Sequence, residues 1–237
     1  MKLVHMGAIS TSIVLILGMA MVVPAFIFAS TAESEKLRVL IQIEIVEDDN
    51  LPFWCSEFNE KLEDGGIKSV VFLTGEIAES NPECIFNVSG VDVGNQGYRY
   101  HDITQISDYS QQLSEIKKGK TTIDNLGGFE SKVFKAPFGS TDENIYSLLD
   151  KSGILGDFSY SDHYNLFVDD QFVKFDLLTV DNVKELDSID SLQIVTFSFN
   201  NLESVDSIFN TVDEINKYPI LFVNPSDLYG ESLTLKR

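Results

Sequence analysis

Beyond its first 32 residues the chain repeats one pattern: an apolar strand-like run, then a longer amphipathic stretch. Residues 37–46, 69–74 and 91–94 are rich in Val, Ile and Leu and read as strands. Residues 53–62, 107–126 and 142–152 read as helices, stopped near Gly65-Gly66, Gly127-Gly128 and Gly153 respectively. Further strands are expected at 133–136, 172–178, 193–199 and 219–223, and a further helix at 205–217. Strand and helix alternating in this way imply an α/β fold with a parallel sheet, because parallel neighbours need a crossover between them. The number of units favours a distorted, incomplete (β/α) barrel over a small open sheet. No linker, repeat or low-complexity tract divides residues 33–237, so they are expected to form one domain. In such a barrel, chemistry belongs at the C-terminal ends of the strands.

The N-terminus obeys a different rule. Lys2 is followed by no formally charged residue up to Ala32, apart from the titratable His5. Residues 13–23 are strongly apolar, Pro24 ends the run, and Ala29-Ser30-Thr31-Ala32 supplies small residues. Residues 1–32 therefore read as an apolar helix that is either a cleaved signal peptide or a membrane anchor, its roughly 20 apolar residues being long enough to span a bilayer. Either outcome places the rest of the chain outside the cytoplasm, secreted or anchored. The acceptor triplet Asn87-Val88-Ser89 is compatible with that location. Lys2 being the only formally charged residue in this segment, the whole acidic excess behind the net charge of −20 lies beyond it. Such a surface repels nucleic acid and anionic lipid, so no nucleic-acid partner is expected. A hydrophobic content of 43% is enough for a packed core. Cys55 and Cys84 are either a disulfide or two buried thiols; a bridge requires a Cα separation of about 4.4–6.8 Å.

From Val70 to about Tyr164 the order of short motifs resembles the NodB-type polysaccharide deacetylases, also called carbohydrate esterase family 4. The motifs are Val71-Phe-Leu-Thr-Gly75, Asn81-Pro-Glu83 as a helix start, Val91-Asp-Val-Gly-Asn95, Asp102-Ile-Thr104, and Lys135-Ala-Pro-Phe-Gly139. Weaker similarity extends the likeness over roughly 37–230. The resemblance implies removal of acetyl groups from N-acetylated sugars. There an Asp and two His hold a divalent metal that activates water, a second Asp is the base, an Arg positions that base, and a backbone N–H holds the oxyanion.

Carried over position by position, the resemblance gives a depleted site. The base falls on Glu44 and the metal-ligand Asp on Ile45. The two His ligands fall on Gln96 and Tyr100, neither of them a good ligand. The Arg falls on Lys135, which keeps the charge but not the planar fork. The oxyanion position is Phe138, after Pro137, and the leaving-group His is lost within 195–199. Glu44, Lys135 and Phe138 are thus the residual catalytic positions, with Pro137 and Trp54 as candidate sugar contacts. No resident metal is expected, unless His101-Asp102 and Ser161-Asp162-His163 join Glu44 or Asp48 in a rebuilt site for an ion such as zinc. Three functions stay open: a catalytically degenerate relative that contacts cell-surface glycan, an active deacetylase with a rebuilt site, or a structural or partner-binding envelope module.

Overall fold

The computed structural model describes residues 36–65, 67–189 and 193–234; the expected apolar helix at 1–32 lies outside them. Ten strands of the described residues form one sheet: β1 (Leu37–Glu44), β2 (Ser69–Leu73), β3 (Val91–Asn95), β4 (Val133–Phe134), β5 (Gly156–Asp157), β6 (His163–Val168), β7 (Gln171–Asp176), β8 (Leu178–Thr179), β9 (Ile194–Asn200) and β10 (Ile220–Val223). Their order is β7-β6-β5-β4-β3-β2-β1-β9-β8, with β10 beside the first half of β1. The pairs from β5 through β1 to β8 are parallel, and the β5–β6 and β6–β7 pairs are antiparallel. The two edge strands, β7 and β8, are separated by Leu177 alone, so the sheet must curl until its edges meet. Leu177 N–H donates to Asp162 O, which extends the β6–β7 ladder by one residue. The result is the nearly closed α/β barrel anticipated from the alternation.

Among the described residues six α-helices accompany the sheet: α1 (Leu51–Gly65), α2 (Gly75–Ser80), α3 (Tyr109–Gly127), α4 (Ile145–Lys151), α5 (Val205–Ile215) and α6 (Pro225–Thr234). The alternation of β1 sorts its side chains into two layers. Val39, Ile41, Ile43 and Ile45 pack with Trp54 and Phe58 of α1 and Ile208 and Val212 of α5. Leu40, on the opposite face, packs with Val70, Phe72, Val133, Phe158, Tyr164 and Val223, drawn from around the barrel. Gln42 and Glu44 share the face of Leu40; Gln42 is satisfied there by Thr196 Oγ1, while Glu44 ends the strand at the barrel mouth.

Several sequence expectations shift. Asn81-Pro82-Glu83 opens only a single 3-10 turn, Pro82–Cys84, because α2 has already run from its Thr74 cap to Ser80. The 172–178 strand is two strands, and β5, β6, α2 and α6 had no counterpart among the expected elements. Cys55 and Cys84 form a disulfide with Cα atoms 5.0 Å apart, tying α1 to that 3-10 turn.

Candidate functional site

Parallel register gathers the site. Glu44 sits opposite Phe72 in β2, Leu73 opposite Asn95 in β3, and Asn95 opposite Phe134 in β4. The residues that follow these strand ends, Gln96 and Lys135, therefore emerge beside Glu44 at the C-terminal end of the barrel. The end of β1 is itself fixed from the far side: Asn201 accepts from Val46 N–H and donates to Val46 O, acting as one more rung of sheet.

The β3–α3 loop returns Tyr100 to the same point. Gly97 turns with φ 87°, a conformation costly for other residues, and its N–H is held by Asn95 Oδ1 at 2.9 Å. Asn95 in turn donates to Ile116 O on α3. Gly119 of α3 lies so close that a Cβ there would sit 2.3 Å from Gly97 O.

The centre is one carboxylate with three donors. Glu44 Oε1 accepts from Gln96 Nε2 at 3.0 Å and from Tyr100 Oη at 2.7 Å. Glu44 Oε2 lies 3.0 Å from Lys135 Nζ. Burial works to raise the Glu44 carboxyl, but the Lys135 charge and the three hydrogen bonds together hold it below the usual carboxylate range. Tyr100 goes the other way: burial first, then its bond to Glu44 and that residue's charge, push its phenol well above the ordinary tyrosine value. Tyr100 is thus a fixed neutral donor.

The β4–α4 loop forms the other wall. Ala136 to Gly139 make a turn closed by Gly139 N–H to Ala136 O, with Pro137 second and Phe138 third. Phe138 adopts φ 59°, a left-handed conformation that costs a non-glycine residue roughly 1–2 kcal/mol. Its ring is 68% exposed and meets the edge of Tyr100, with centroids 5.0 Å apart. Its backbone N–H faces the Tyr100 hydroxyl and slightly counters the rise of that phenol.

The other expected residues separate. Ile45 is fully buried in the layer under α1 and α5, and its side chain does not join Glu44. Trp54 is 5% exposed, stacks on Phe58 and donates to Glu203 O. Its faces are covered, so the exposed aromatic of that loop is Phe53, and Trp54 does not present a ring to a sugar. Pro137 is buried in the turn. Asp48 caps Asn50, and Asp102 caps the 3-10 turn Ile103–Gln105. His101 faces Glu115 at 3.7 Å and lines a groove of about 680 Å³ with Tyr100, Arg99, Thr74, Glu47 and Glu76. His163 bonds Asp162 and stacks on Tyr160.

A divalent metal does not fit this donor set. Ile45 offers no lone pair, the Tyr100 phenol is kept protonated, and the buried, unpartnered Gln96 Oε1 is only a weak neutral ligand, while the Lys135 ammonium 3.0 Å from Glu44 would repel a second cation. Among the described residues no group of three His, Cys, Asp or Glu side chains converges as a metal-binding cluster.

Comparison with known proteins agrees with this frame. A family model described as polysaccharide deacetylase matches residues 42–155. A peptidoglycan-N-acetylglucosamine deacetylase of Bacillus cereus is 26% identical over 87 residues, 36% of this chain and 31% of its own length. The chain spans less than a third of the length of the curated relatives it matches. Among solved structures, a family 4 carbohydrate esterase from Bacillus anthracis superposes with a TM-score of 0.61 at 16% identity, covering 83% of this chain and 84% of that one. A family 4 pseudoenzyme from the same species superposes with a TM-score of 0.58 at 13% identity, covering 82% of this chain and 66% of that one.

Proposed function

We propose, from the premise that residues 42–155 belong to the polysaccharide deacetylase family, that this chain is an extracytoplasmic glycan-contacting protein that has given up metal-dependent deacetylation. The observation that carries the reading is the saturated Glu44 carboxylate. A general base must accept a proton from water; this one accepts from a Gln, a Tyr and a Lys, and its basicity is lowered by them. Tyr100 also crowds the expected oxyanion position, its ring packed against that of Phe138 with centroids 5.0 Å apart. Lys135 and Tyr100 therefore serve as struts of the cleft wall. What remains at the mouth suits contact with sugar: exposed rings at Phe138 and Phe53, and the adjoining polar groove lined by Thr74, Ser80, Arg99 and His101.

The location outside the cytoplasm is supported by the uncharged segment 3–32 and by the Cys55–Cys84 disulfide, a bond that persists in oxidising compartments. Calorimetric titration with N-acetylglucosamine oligomers tests the reading. Saturable binding that weakens at least severalfold in Phe138→Ala supports it. Absence of binding to any N-acetylated or deacetylated oligomer would leave the cleft without a glycan role and overturn it.

A further inference from the structure

One buried acid plays no part in the Glu44 cluster. Asp157 ends β5 with no exposed surface. Its Oδ1 accepts from both the backbone N–H and the hydroxyl of Ser159, at 3.0 and 2.5 Å. The same Ser159 hydroxyl accepts from Ala136 N–H at 2.8 Å, and Ala136 is the first residue of the Phe138 turn. Ser159 O also lies against Gly139, 2.9 Å from where a Cβ would be. A three-member relay thus runs from a buried carboxyl to the backbone of the cleft wall. Its far end is unfinished: Asp157 Oδ2 has no hydrogen-bond partner among the described residues, nor has Nδ2 of Asn165, the residue directly opposite on β6.

We propose that Asp157 is a positioning residue for the Ala136–Gly139 turn, and that gain of its proton loosens the anchor on that turn. The reason is donor direction. A carboxylate can only accept, so the Ser159 hydroxyl must point its hydrogen at Asp157 and its lone pairs at Ala136 N–H. A protonated carboxyl can instead donate to Ser159, which frees that hydroxyl to turn away and weakens the bond to Ala136. Such charge-assisted bonds are about twice as strong as neutral ones. The titratable groups facing Asp157 are His163 on β6, Tyr146 on α4 and Tyr229 on α6, while β4 places Phe134 beside it. Burial raises the Asp157 carboxyl to about 6 against the lowering effect of the Ser159 bonds and His163, which puts the exchange in an accessible range.

The inference does not depend on what the cleft binds, and its test needs no ligand. In the ¹⁵N-labelled full chain, the Ala136 amide should titrate with a midpoint at about 6, moving downfield as pH rises. Asp157→Asn should flatten that titration. Ser159→Ala should also flatten it while the Asp157 carboxyl carbon still titrates, a split that a purely structural defect would not produce. His163→Gln should leave the Ala136 titration in place with a displaced midpoint. A static Ala136 amide in the unmodified protein, or a titration that survives Asp157→Asn, would overturn the proposal. Loss of the titration in His163→Gln would overturn it equally, by assigning the proton to the imidazole.

Discussion

Replacing Tyr100 by Phe removes one oxygen from the centre of the cleft and should be felt in both stability and titration. The lost bond, Tyr100 Oη to Glu44 Oε1 at 2.7 Å, has a charged acceptor. Bonds of that kind contribute about 1.5–3 kcal/mol. Two features reduce the cost: Glu44 keeps Gln96 and Lys135, and with its side chain 20% exposed it can recruit water. The net loss should be about 1–2 kcal/mol, or roughly 2–8 °C in Tm for a domain of this size. Urea unfolding followed by Trp54 fluorescence measures it, since Trp54 is the only tryptophan and is buried against Phe58. The difference should depend on pH. Glu44 is depressed in the folded state, so its contribution is present above its unfolded value, near 4.3, and is lost as pH falls through its folded value. The gap between the two proteins should therefore narrow in acid, and Glu44 should titrate higher in Tyr100→Phe. A stability change within 0.5 kcal/mol at neutral pH, near the size expected of an ordinary surface substitution, together with an unshifted Glu44 would refute the network.

Four further outcomes follow from the geometry. Lys135→Gln should cost about 1–3 kcal/mol by leaving a mostly buried carboxylate without its cation, and should raise the Glu44 titration seen by carboxyl ¹³C NMR. Gly119→Ala should cost about 1–3 kcal/mol by overpacking, because the new methyl collides with Gly97 O and Asn95 Oδ1, and should weaken glycan binding by moving Tyr100. Reduction of Cys55–Cys84 should lower stability by about 3–4 kcal/mol, given the 29-residue separation, measured as a drop in the urea midpoint with dithiothreitol. Asp157 is raised from 3.8 to about 6, so its contribution is fully present below pH 3.8 and is lost as pH rises through 6. Asp157→Asn should therefore gain up to about 3 kcal/mol at neutral pH, and the gain should vanish near pH 4 in thermal melts.

Much of the frame was legible in the sequence because its signals are local. Long apolar runs marked β1, β2 and β9, and glycines marked the ends of α1 and α3. The chain also showed which positions to watch: Glu44, Gln96, Tyr100 and Lys135 meet around one carboxylate, although they are scattered over more than 90 residues. What stayed hidden depends on direction. Ile45 adjoins Glu44 in sequence, but strand alternation turns it to the opposite layer. Trp54 adjoins the exposed Phe53, and only helix phase decides which ring faces Phe58. The two-residue strand β5 is too short to carry a period, and the unpatterned stretch 163–168 pairs as β6 only because β5 and β7 flank it. Thr74 as the cap of α2 was a readable signal, since its hydroxyl accepts from Ile77 N–H in the ordinary N-cap manner. The relay through Asp157 had one sequence trace, a lone acid among apolar neighbours in Leu155-Gly-Asp-Phe158.

The central claim is that Glu44 is held by protein donors in place of a metal-bound water. Acetate release from N-acetylglucosamine oligomers, measured with added zinc or cobalt and again with chelator, tests it most directly. Release should be no greater than in the protein-free control under every metal condition. Metal-stimulated, chelator-sensitive release that disappears in Glu44→Gln would contradict it.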